Sequence, residues 1–166
     1  MQANKVHLPE MKLVGITCRT NNSKIFETDP TTNIIAATVQ KYFHQGLSAK
    51  IADRKQPGTT YCVYTDYESD HTGDYTYFIG EEVTNFNDVP AGFETLTIPM
   101  QHYAKFTVGP GKMPDICIDA WKNIWTMNSA DFGGERSYRA DFEIYDERSS
   151  DHQNVTMDIC IGIKGV

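Results

Sequence analysis

The run Asp141-Phe142-Glu143-Ile144-Tyr145-Asp146 sets a carboxylate in the middle of a strand pattern. Side chains alternate across a strand, so Asp141, Glu143 and Tyr145 share one face and Phe142 and Ile144 the other. Glutamate is depleted in strands. Glu143 therefore either faces water on a half-exposed sheet or lies at the floor of a groove. In the groove, burial costs several kcal/mol unless the charge is paired or neutralised. A carboxylate without a fixed counter-charge would there draw in a cation and be relieved by it.

Rings are the second signal. Tyr61, Tyr64, Tyr67, Tyr75, Tyr77, Tyr138 and Tyr145 fall on or beside two predicted hairpins, and Trp121 and Trp125 on a predicted helix. Most rings of this kind pack a core or cover sheet edges. Tyr and Trp nevertheless carry polar handles and electron-rich faces. A carboxylate walled by such rings suits a lipophilic cation, because each cation–π contact contributes about 0.5–2 kcal/mol.

Other motifs point to no chemistry. Gly109-Pro110-Gly111-Lys112 lacks the spacing of a phosphate loop and reads as a strand-to-helix turn. The Asp70-His71 and Asp151-His152 pairs read as solvated turn residues. No Gly-x-Ser-x-Gly occurs, and no cysteine has a neighbouring histidine that would mark a nucleophile. Arg136 and Arg139 are placed to pair with Glu135 or Asp141; as surface pairs these would contribute little.

The elements that position these groups repeat. Residues 61–80 (YCVYTDYESDHTGDYTYFIG) and 141–162 (DFEIYDERSSDHQNVTMDICIG) each run from a strand through acidic residues and an Asp-His turn into a second strand. Asp66 aligns with Asp146, and Ile79-Gly80 with Ile161-Gly162. Each unit is a β-hairpin with polar turn chemistry. The strand patterns 13–19 and 102–108 precede them, each followed by a helix. The first helix aligns Ile35, Thr38, Val39 and Tyr42, starting near Asp29-Pro30 and stopping at Gly46. The second aligns Ile118, Trp121 and Trp125, between Pro114 and Gly133-Gly134.

The fold class is therefore α+β: duplicated β-α-β-β modules, about 11–84 and 95–166, within a single domain spanning 1–166. They join near 85–95, with 95–99 as an extra strand. The modules form one mainly antiparallel sheet, and two helices on one face flank a central groove.

The chain has 166 residues, with 15 basic against 22 acidic and a net charge of −7. That balance repels phosphate backbones and anionic lipid and favours cationic small molecules. Residues 1–10 lack the features of a signal peptide, and no apolar run is long enough to span a membrane. Cys18, Cys62, Cys117 and Cys160 lie far apart in apolar contexts and read as reduced core thiols of a cytoplasmic protein. No cofactor and no metal are expected.

The ordered set MKLVGI, GFETLTIPMQHYAKFTVGP, IDAWKNIW, YRADFEIYDER and VTMDICIGIK, over residues 11–164, resembles the GyrI-like family. These are the effector-binding domains attached to AraC-type and MerR-type bacterial transcription regulators, including multidrug-responsive ones. The resemblance implies a duplicated (SHS2-like) module with a ligand groove between the helices. It implies a groove glutamate at the position of Glu143, with Trp121, Trp125, Tyr64 and Tyr77 as wall residues beside Tyr61 and Tyr145. Stand-alone relatives exist, some on mobile gene cassettes. With only residues 1–10 before the matched segment, this chain is expected to be one of them, without direct nucleic-acid binding. Two other functions stay open. One is a hydrolase of strained electrophiles, with Glu143 as general base and Tyr61 or Tyr64 as proton donor. The other is a protein-interaction inhibitor module. A homodimer paired through the edge near 94–107 is also compatible with the pattern.

Overall fold

The computed structural model describes residues 2–24 and 33–165. The apolar alternation builds β1 (Asn4–Leu8), β2 (Met11–Thr20), β3 (Thr60–Thr65) and β4 (Tyr75–Val83). It continues with β5 (Glu94–Ile98), β6 (Gln101–Gly111), β7 (Ala140–Tyr145) and β8 (Val155–Ile163). Among the described residues these form one eight-stranded sheet in the order β1-β6-β8-β7-β3-β4-β2-β5. All pairings are antiparallel. The fold is α+β, as the patterning predicts.

The order is symmetric about the β3–β7 seam, where Cys62 pairs with Glu143. Each half carries one strand more than a bare β-α-β-β unit: β5 is the extra strand expected at 95–99, and β1 is its unanticipated counterpart. β1 leads into β2 through Pro9-Glu10, and β5 leads into β6 through Pro99-Met100. Each leading strand pairs with the opposite half, β1 with β6 and β5 with β2. These connections force the sheet to curl. In a flat sheet β1 and β2 would lie roughly 29 Å apart, whereas a two-residue link spans at most about 11 Å. Val6 and Leu8 from one end of the order and Leu96 and Ile98 from the other accordingly pack into one cluster with Leu13, Tyr61, Val63, Phe78 and Phe142.

The helices cover the other face. Helix α1 (Ile34–His44) begins where the Asn33 side chain accepts the Ala36 N–H at 3.2 Å. The expected start at Asp29-Pro30 lies outside the described residues. Thr38 and Tyr42 are buried, with Ile35 and Val39 packed beside them. Gly46 follows the helix in the left-handed region, at φ 58°, which a side chain would resist. Helix α2 (Asp115–Ile124) follows Pro114 and buries Ala120, Trp121 and Ile124. The buried stripe is thus rotated from the expected one. Cys117 and Trp125 pack against its cluster, and Ile118 lies off it.

The predicted second helix is also interrupted. Asn128 accepts the Ala130 and Asp131 N–H groups, and Asp131 accepts the Asn128 N–H, so a separate α3 (Ser129–Phe132) starts there. Helix α1 packs over β2 and β4, and α2 over β6. The central strands β3 and β7 therefore lie between the two helices, as the floor of the space that they flank.

Candidate functional site

Alternation sends Cys62 and Tyr64 of β3, and Asp141, Glu143 and Tyr145 of β7, toward the helices. Glu143 is 2% exposed. Its Oε2 accepts the Tyr64 hydroxyl at 2.6 Å and the Trp121 Nε1–H at 2.7 Å. Its Oε1 accepts the Tyr145 hydroxyl at 2.5 Å, and the Cys117 thiol stands 3.6 Å from Oε2. Every one of these donors is neutral. Among the described residues no ion pair is made to Glu143. Burial, and next the charge of Glu143, push the Tyr64 and Tyr145 phenols and the Cys117 thiol well above their ordinary values. They stay protonated and keep donating.

Asp141, two residues earlier, is held differently. It is fully buried. Its Oδ2 accepts Arg136 Nη2 at 2.6 Å and the Tyr67 hydroxyl at 2.5 Å, while Oδ1 accepts the Gly162 N–H at 2.7 Å. Arg136 lies over the Tyr138 ring, 4.3 Å from its centroid. The expected surface pair is therefore a buried one. The backbone of Arg136 bridges to Ile163 at the end of β8, which turns the guanidinium inward instead of into water. Glu135 pairs with Lys164 on the surface, at 3.2 Å.

The other sequence-derived candidates divide. Tyr77 is buried and meets Tyr64 edge-on, with ring centroids 5.4 Å apart. Trp125 stacks on His71 at 6.4 Å. Tyr61 does not join them. Three residues from Tyr64 on the same strand, it points to the opposite face and packs on Phe142. It is neither a wall of the groove nor a proton donor beside Glu143. His71 is likewise no solvated turn residue, since it closes over Trp125, whereas His152 stays exposed.

The groove is narrow. A cavity of about 20 Å³ lies between Tyr64, Tyr67, Tyr75, Trp121, Trp125, His71 and Arg136. That is room for about one water molecule. Tyr64 and Trp121, both bonded to Glu143, line this cavity and stand between it and the carboxylate. A larger cavity of about 260 Å³ lies on the opposite face, between Leu8, Met11, Tyr61, Phe142 and Ile144. Its acidic residue, Glu82, is paired with Lys55 at 3.6 Å. Cys117, Tyr75 and His71 are site residues that pattern reading passed over. For Cys117 the signal was present: it precedes Trp121 by one helical turn.

The comparisons with known proteins agree with this fold. YobU of Bacillus subtilis (strain 168), a transcriptional regulator by name, is 27% identical over 158 residues, covering 95% of each chain. An integron cassette protein from the mobile metagenome of Vibrio cholerae is 26% identical, with a TM-score of 0.74 over 98% of this chain and 96% of that one. SAV2435, solved bound to tetraphenylphosphonium, shares the fold at 19% identity, with a TM-score of 0.74 over 99% of this chain and 95% of that one. The family model of integron-associated effector binding proteins matches residues 6–163. This chain belongs to that family, named Cass2.

Proposed function

We propose that this chain binds lipophilic, aromatic cations at Glu143, as an effector-binding module of the kind that regulators use. One observation carries the reading: a carboxylate 2% exposed whose hydrogen-bond partners among the described residues are all neutral. Such a group is solvated by the protein but not charge-compensated. A buried charge is costly until an opposite one arrives, so an entering cation is attracted by the unbalanced charge. Tyr64, Trp121 and Tyr145 turn from donors to ring faces around it. Trp125 lies farther out and Tyr77 supports Tyr64 from below. The fold neighbour solved with tetraphenylphosphonium and the regulator-type relative both support binding over turnover.

Contacts of this kind correspond to micromolar affinity, about −8 kcal/mol. The test is a titration with tetraphenylphosphonium, followed by the fluorescence of Trp121 and Trp125. Glu143→Gln keeps an acceptor oxygen but removes the charge, and is expected to weaken binding at least about tenfold, or 1.4 kcal/mol. Equal affinity in the two proteins overturns the reading.

A further inference from the structure

Among the described residues, six buried side-chain polar atoms lack a hydrogen-bond partner, and three of them belong to one small cavity. They are Arg136 Nε, the Tyr75 hydroxyl and His71 Nδ1. All three residues line the roughly 20 Å³ space that Tyr64 and Trp121 also line. Unpartnered buried polar atoms are uncommon and costly, and three around one space point to a group that meets them there.

Their chemistry selects that group. Arg136 Nε–H only donates, whereas the Tyr75 hydroxyl and the His71 nitrogen adapt to either role. An acceptor satisfies all three and a pure donor does not. The acceptor is uncharged. The guanidinium of Arg136 is already matched by Asp141 at 2.6 Å, and a further anion would crowd the two carboxylates of β7. Tyr64 spans the distance, since it bonds Glu143 at 2.6 Å and packs on Tyr75 with centroids 5.5 Å apart.

We infer that the cavity beside Glu143 carries a polar subsite, made by Arg136, Tyr75 and His71, for a neutral oxygen acceptor about one ring away from the cationic centre of the ligand. The preferred ligands are aromatic cations bearing a ketone, amide, ether or hydroxyl oxygen, rather than hydrocarbon cations. This rests on the reading of Glu143 as the cation anchor.

Two probes of equal charge and similar shape separate the claims: (4-acetylphenyl)triphenylphosphonium, with one ketone oxygen, and (4-isopropylphenyl)triphenylphosphonium, with none. In calorimetric titration the intact protein is expected to prefer the acetyl probe by about tenfold. Tyr75→Phe keeps the ring and removes the hydroxyl. It is expected to reduce the preference, read as the ratio of the two affinities, to about threefold or less, whatever change the variant makes to both probes alike. His71→Leu, at the partly exposed rim, provides a second variant should Tyr75→Phe fail to fold, with a similar loss expected. Equal binding of both probes by the intact protein, or a preference unmoved in the variants, overturns the subsite alone. Failure of both probes to bind overturns the role of Glu143, and the subsite with it.

Discussion

Asp141 and Glu143 sit two residues apart on β7, equally hidden from water, and are held in opposite ways. Asp141 has a guanidinium at 2.6 Å, a phenol and a backbone N–H. Glu143 has two phenols and an indole. Both carboxylates are hydrogen-bonded; among the described residues only Asp141 is charge-balanced. The difference teaches that burial and hydrogen bonding alone do not mark a binding anion. What marks it is a missing counter-charge, because only that leaves attraction for a mobile cation. Asp141 is a structural tie, and Glu143 is the group to which the proposed function assigns a ligand.

The contrast is sharpest when one partner is removed from each. Arg136→Ala leaves Asp141 buried and unpaired and is expected to lower stability by about 3–5 kcal/mol, read from urea denaturation. Glu143→Gln should leave stability within about 1 kcal/mol of the intact protein, because the amide still accepts from Tyr64 and Trp121. An equally large loss in both variants would erase the distinction.

A smaller effect is expected at the donors. Tyr145→Phe removes one hydrogen bond and should cost about 1 kcal/mol of stability. It should also raise tetraphenylphosphonium affinity several-fold, since Glu143 then has less to give up. Weaker binding in this variant would mean that Tyr145 serves the ligand more than the empty site.

The smallest effect concerns Asp158, a buried carboxylate on the face of β8 away from the helices, with Arg148 at 2.8 Å and Lys105 at 3.6 Å. Burial alone would raise its pKa, but the bonds from Arg148 and Thr107 outweigh burial and hold it below the ordinary carboxylate range. Its folded pKa thus lies below its unfolded one. The stabilisation is present above the unfolded value of about 3.9 and is lost as pH falls through the folded value. Arg148→Ala should flatten that acid limb by less than about 1 kcal/mol in denaturation measured between pH 5 and 2. An unchanged limb would show that a pair whose arginine is partly exposed adds nothing, in contrast to the pair at Asp141, where both partners are buried.

Much of this molecule is legible in its residues, and the failures are instructive. Period-two alternation marks the core strands, and Thr38 and Tyr42 reveal the buried face of α1. β1 escapes because three of its five residues, Asn4, Lys5 and His7, are polar or charged and exposed at the sheet edge, which leaves only Val6 and Leu8 to show alternation; the matching Leu8-Pro9 and Ile98-Pro99 are its trace. Aligning Asp66 with Asp146 makes Cys62 equivalent to Phe142, yet Cys62 shares the helix-facing side with its cross-strand partner Glu143 and Phe142 faces the other way. A slip of one residue reverses the face of every side chain. The two turns differ: Asp66 takes a left-handed φ of 49°, while Asp146 is extended and accepts the Arg148 N–H. Tyr61 falls outside the groove for a simpler reason: it lies three positions from Tyr64, and positions three apart on a strand point in opposite directions.

What the sequence determined by itself was local: a strand face bearing two acids and a tyrosine, ring-rich hairpins, and helices with one side to bury. Those follow from periodicity, which every residue shares with its near neighbours. The tertiary structure decided which acid received the arginine. Arg136 reaches Asp141 because its backbone bridges to Ile163, far along the chain, and Trp121 reaches Glu143 because α2 settles over the same face of the sheet. Charge balance at a buried point depends on which segments meet there, and only the folded chain brings them together.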